Sequence, residues 1–154
     1  MWARIFASNA AEVLPSVLLA HLESLGLVIE GHFKGDDLGW TSGKLLLPRH
    51  PESPVTIERY LTETDALRDD LNSWAAGLEA SLEYAPQAGP LMERTIRTQQ
   101  LFTLHRPIDH SDEVMLDRVI EGTCQYLATQ REGFYQIDGK GFYDADGSLV
   151  VQEY

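Results

Sequence analysis

The chain has 154 residues, 44% apolar and 23% charged, and its 24 acidic against 12 basic residues leave a formal charge of −12. That length fits one domain burying roughly 68–70% of its unfolded surface, so no disulfide or metal is needed to hold a core, and apolar residues spread along the whole length exclude a disordered chain. The acidic balance excludes a phosphate-backbone binder and disfavours anionic membrane surfaces; it fits simple solubility, or a basic protein partner.

Residues Trp2 to Ser8 alternate and predict a first strand. Asn9, Glu12 and Pro15 break the apolar run that a signal peptide would need. Nothing approaches the roughly 20 apolar residues of a membrane span, so a cytoplasmic location of the bacterial type is expected. Asn9 and Glu12 make a weak capping box, and Pro15 belongs in a first helical turn. A helix is therefore expected from between Ala10 and Pro15 to Gly26, with the stripe Leu14, Val17, Leu18, His21, Leu22 and Leu25. His21 on that apolar face reads as a core histidine.

Leu27 to Phe33 predicts a second strand, residues 34–37 a turn, and Trp40 to Leu47 the returning strand. The glycines and lysine of GDDLGWTSGK lack the Walker spacing, and no helix follows them. Pro48 to Pro54 reads as a loop. Val55 to Leu61 alternates and is expected as a strand at a sheet edge.

Thr62 or Thr64 is the expected cap of the next helix, whose stripe is Leu67, Leu71, Trp74, Leu78 and Leu82. Its opposite face carries Glu63, Asp69, Asn72, Ser73 and Glu79. After the break at Ala85 to Pro90, a shorter helix from Pro90 to Thr98 places Arg94 and Arg97 on one face. Two arginines three apart can clamp a carboxylate or phosphate, although pairing with surface acids explains them as well.

Gln99 to Arg106 predicts a strand stopped by Pro107. Ser111 is the expected cap of a long helix, with Asp112 and Glu113 in favourable positions and the stripe Val114, Met115, Arg118, Val119, Gly122, Tyr126 and Leu127. Cys124, the single cysteine, lies on this helix and reads as a buried inert thiol. Gly133 closes the helix. Strands Phe134 to Ile137, Phe142 to Asp144 and Leu149 to Gln152 flank two Asp-Gly turns. Asp144 and Asp146 share only the opening of a calcium loop; the glycine falls too early, and a hairpin turn is the better reading.

These elements predict a single α+β domain over residues 1–154. Its mainly antiparallel sheet is expected in a two-layer sandwich, covered by helices on one face. The ends echo each other as two βαββ halves, 1–61 and 99–154, around a helical middle, 62–98. A groove between the halves is the first place expected for a ligand.

The densest polar cluster is His105, Arg106, Asp109, His110, Asp112 and Glu113, at a strand end and a helix start. With Arg94 and Arg97 it supplies the candidate ligand-binding residues. His105, Asp109 and His110 are the weaker metal alternative, since two histidines flanking a Glu on one helix turn are absent. No nucleophile elbow is present and no cofactor is expected. The leading expectation is a non-catalytic binding module of inhibitor, immunity or regulatory type that meets a basic partner through the acidic helix at 65–83. Its rivals are a small metal-dependent hydrolase or small-molecule binder centred on His105, and a homodimer paired through sheet edges.

Overall fold

The computed structural model of the chain describes residues 1–108 and 112–153. In chain order its elements are strand β1 (Trp2–Ala7), helix α1 (Pro15–Ser24), β2 (Glu30–Asp36), β3 (Gly39–Leu47), β4 (His50–Leu61), α2 (Arg68–Ser81), α3 (Ala88–Ile96), β5 (Gln100–His105), α4 (Glu113–Gln130), β6 (Phe134–Ile137), β7 (Gly141–Asp144) and β8 (Leu149–Gln152). All eight strands join one antiparallel sheet in the order β2-β3-β4-β5-β1-β6-β7-β8.

Two crossovers build the centre. From β1 the chain passes through α1 to β2, at the far edge; from β5 it passes through α4 to β6, stepping over β1. β1 and β5 are antiparallel and the two moves go in opposite directions along the sheet. Crossovers of one common hand then put both helices on the same face. There Leu18 and Leu22 of α1 and Leu116, Val119, Ile120 and Leu127 of α4 pack on Ile5, Phe102, Leu104, Tyr135 and Ile137.

The helical middle goes to the other face. Leu71 and Leu78 of α2 and Leu91 of α3 pack on Phe6, Leu101, Phe134, Phe142 and Val151. Ile5 and Phe6 are consecutive in one strand, so their side chains point to opposite faces. Helices therefore lie on both faces, not on one as expected from the sequence. Consecutive buried residues mark this arrangement: Ile5, Phe6 and Ala7 in β1, and all four residues of β6. A strand covered on both sides loses its polar alternation.

The echo of the two ends holds in element order but not in space. After α1 the strands fill the sheet from its edge inward, β2 to β4; after α4 they run from the centre outward, β6 to β8. The halves are not equivalent βαββ units. Nor is the Val55–Leu61 segment an edge: β4 pairs with both β3 and β5, and the edges are β2 and β8.

Local departures have local causes. The expected 48–54 loop shrinks to Pro48-Arg49, with Arg49 at φ 68, and β4 begins at His50. Pro51 and Pro54 are tolerated there because the β3–β4 register shifts between Leu45 and Leu47, leaving ladder positions that need no N–H. α2 starts at Arg68, after Leu67, with neither Thr62 nor Thr64 as its cap: the Thr62 hydroxyl donates to the Thr98 carbonyl at 2.8 Å, and Asp65, expected in the first turn, accepts the Leu61 N–H at 2.7 Å. Asp112 caps α4, accepting the Met115 N–H at 3.1 Å; Ser111 lies outside the described residues. The buried face of α4 is rotated from the expected stripe. It runs Leu116, Val119, Ile120, Thr123, Cys124, Leu127 and Ala128, while Val114 is 74% exposed.

Candidate interaction surface

His105 ends β5 on the sheet face opposite α1 and α4, its ring 4.4 Å from that of Trp2. Arg106, one residue on, turns to the other side and ion-pairs with Asp117 and Glu113 of α4, anchoring that helix's first turns. Arg94 lies over the Phe134 ring at 5.0 Å and 3.5 Å from Asp144, while Arg97 caps α3 and is exposed. α3 leads into the Gln100 end of β5, so the arginine pair and His105 flank opposite ends of a strand about 17 Å long. Asp109 and His110 lie outside the described residues. Among the described residues, no group of three or more His, Cys, Asp or Glu is placed to hold a metal ion.

The face around His105 is only partly covered, because α2 and α3 reach just its β6–β8 corner and the Phe6–Leu101 row. Two cross-strand rows lie beyond these helices, with Gln136, at the end of the second, buried. One holds Trp2, His105, Thr56, Lys44 and His32; the next holds Gln136, Arg4, Thr103, Glu58, Ser42 and Lys34. Over β2, β3 and β4 the face hollows into a groove of about 450 Å³, lined by His32, Lys34, Ser42, Lys44, Thr56 and Glu58. Lys34 and Lys44 form no ion pair among the described residues. The Glu58 carboxylate is held by the Tyr60 hydroxyl, and that bond pushes the tyrosine's pKa up to about 12.

Two groups that attract attention are structural. Arg59 is 5% exposed, yet its guanidinium is bonded to Gln100 Oε1 and to the carbonyls of Leu38 (3.0 Å), Trp40 (3.1 Å) and Ala10 (3.3 Å). Burial lowers its pKa, with the charges of Glu12, Asp36 and Asp65 opposing that shift. Gln100 and Arg131 in turn hold the Ala11 carbonyl, so this cluster pins the 9–12 segment to the sheet. Cys124 is fully buried, and burial drives its thiol pKa up, away from the nucleophilic thiolate.

A third feature lies at the other end of the sheet. α2 runs beside edge strand β8 and leaves a groove of about 460 Å³ lined by Ser73, Trp74, Gly77 and Ser81 of the helix, by Tyr84 beyond its end, by Phe142, Val151 and Gln152 of the sheet, and by Glu153. Its depth comes from small residues four apart, Ser73, Gly77 and Ser81, and a Cβ on Gly77 would meet nothing within 4 Å. Trp74 forms the wall, edge-on to Phe6 and Phe142 and backed by the Arg4 guanidinium 4.8 Å from its ring centroid. A second hollow of about 310 Å³ continues along β8 past Leu149, Val150, Tyr84 and Gln87. No lysine or arginine lines either hollow. Glu63, Asp69, Asp70, Glu79 and Glu83, on and beside α2, are exposed and form no ion pair among the described residues.

No protein-family model, curated protein or solved structure matches this chain.

The sequence singles out His105 and the acidic helix as candidates but not the α2–β8 groove. Its signals were present: a glycine and two serines at four-residue spacing in a helix, and a strand, Leu-Val-Val-Gln, without a charged residue. Only their juxtaposition was hidden, because Trp74 and Val151 meet through the sheet order.

Proposed function

We propose that this chain is a non-catalytic binding protein, of inhibitor, immunity or regulatory type, that meets a basic protein partner on its α2 side. The observation that carries this reading is the set of exposed carboxylates Glu63, Asp69, Asp70, Glu79 and Glu83 on and beside α2, none of them ion-paired among the described residues. Such a field speeds encounter with a basic surface and repels acidic ones. The test is affinity capture from extracts at low and high salt, with wild-type protein and the double variant Asp69→Lys/Glu79→Lys. Capture of a basic protein that weakens with salt and is lost in the variant supports the reading. No partner at either salt, or equal capture by both proteins, overturns it.

A second reading, small-molecule binding beside His105, is favoured by the open sheet face. Lys34 and Lys44 are unpaired among the described residues and line its groove with His32, and Thr103 nearby keeps a buried hydroxyl without a hydrogen-bond partner among them. These groups fit a small anion. Titration with inorganic phosphate and with dicarboxylates, read on the Trp2 indole signal, tests it; an unmoved signal removes it.

A further inference from the structure

The two edges of the sheet are unequal. β2 is guarded by charge: Glu30, His32, Lys34 and Asp36 alternate along it, a device that discourages another strand from pairing; the register breaks along both edge ladders, between Lys34 and Gly35 and between Phe142 and Tyr143. β8 has no charged residue and no proline, and Leu149 is half exposed. Its ladder is with β7, and among the described residues no backbone or side-chain group bonds its outward amides and carbonyls. An edge strand free of charge beside a helix, with a groove between them walled by Trp74, Phe142 and Val151, is an arrangement by which extended peptides are bound through strand addition.

We infer that β8 is the docking edge for an extended basic segment of the partner, which adds as a ninth strand while an apolar side chain enters the groove walled by Trp74, Phe142 and Val151. This rests on the reading of a basic partner and names how it is held. Alternate residues of an added strand point to the same face, about 6.6–6.8 Å apart, so one set faces the hollows and the other faces solvent. Glu153 lines the groove, its carboxylate held by Gln136 and the Gly139 N–H, and Asp70 lies one turn before Trp74 on the same helical face; both favour cations beside the apolar anchor. The segment is thus one in which apolar and basic residues alternate.

The test titrates the intact chain with an acetylated peptide of alternating lysine and valine, and with the same peptide carrying N-methyl groups on alternate backbone nitrogens. The expected result is slowed amide exchange confined to β8 and its neighbours, and binding about tenfold weaker for the methylated peptide, since strand hydrogen bonds are lost while charge is kept. Gly77→Leu fills the groove in a helix that has room for it, and is expected to weaken binding at least as much without loss of thermal stability. Equal binding of both peptides, or protection elsewhere than β8, overturns strand addition and leaves the basic-partner reading standing. No binding of either peptide, or a solution dimer that protects β8 by itself, also overturns it; salt-dependent capture then judges the broader reading separately.

Discussion

Arg59 shows how a buried charge can be held without a carboxylate in contact. Its guanidinium satisfies the carbonyls of Leu38, Trp40 and Ala10 and the Gln100 side chain, which a neutral residue would leave unpaired. Arg59→Met is expected to cost about 2–4 kcal/mol, since hydrogen bonds to a charged group contribute more than neutral ones and orphaned buried carbonyls add a penalty; urea denaturation measures it. Asp138 works differently. Burial raises its carboxyl pKa, but hydrogen bonds from Gln136, Arg4 and the Trp2 N–H, with the Arg4 charge, outweigh that and hold it below the ordinary value. A depressed folded-state pKa means stability present above the unfolded value, near 3.9, and lost as pH falls through the folded value. Asp138→Asn should therefore be less stable than wild type at neutral pH, with the gap closing below about pH 4. Thermal melts across pH 2–7 would check this; a gap independent of pH would contradict it.

Among the elements, α4 separates a helix's existence from its orientation. Asp112 and Glu113 announce its start, but the buried face is set by where the helix meets β1 and β6, through Leu116, Ile120, Cys124 and Leu127. Leu116→Ala, at a fully buried position, is expected to cost about 2–5 kcal/mol. Val114→Ala, two residues earlier and exposed, should change stability by no more than about 0.5 kcal/mol. Equal losses in chemical denaturation would put the helix back on its sequence-expected face. The α2 stripe needs no such correction: Leu67, Leu71 and Leu78 are buried, and Trp74 and Leu82 pack at their margin.

At the scale of the whole molecule, β1 and β5 sit at the centre of the sheet with helices on both faces, while β2 and β8 are edges. Amide exchange should be slowest in β1 and β5 and fastest in β2, since protection follows burial and contact density; hydrogen exchange read by mass spectrometry or NMR would establish the order. The sequence by itself determined the order of strands and helices though not all of their bounds, the hairpin turns at Asp138-Gly139 and Asp146-Gly147, the apolar stripe of α2 and the acidity of its outer face. Those properties rest on side-chain periodicity and turn chemistry within a few residues, so they are written locally. The tertiary structure alone decided the strand order, the division of the helices between two faces, the interior place of β4 and the groove between α2 and β8. Each depends on partners far apart along the chain, such as Ile5 with Phe102 and Tyr135. A strand's own pattern states which residues want burial, but not which distant strand or helix will bury them.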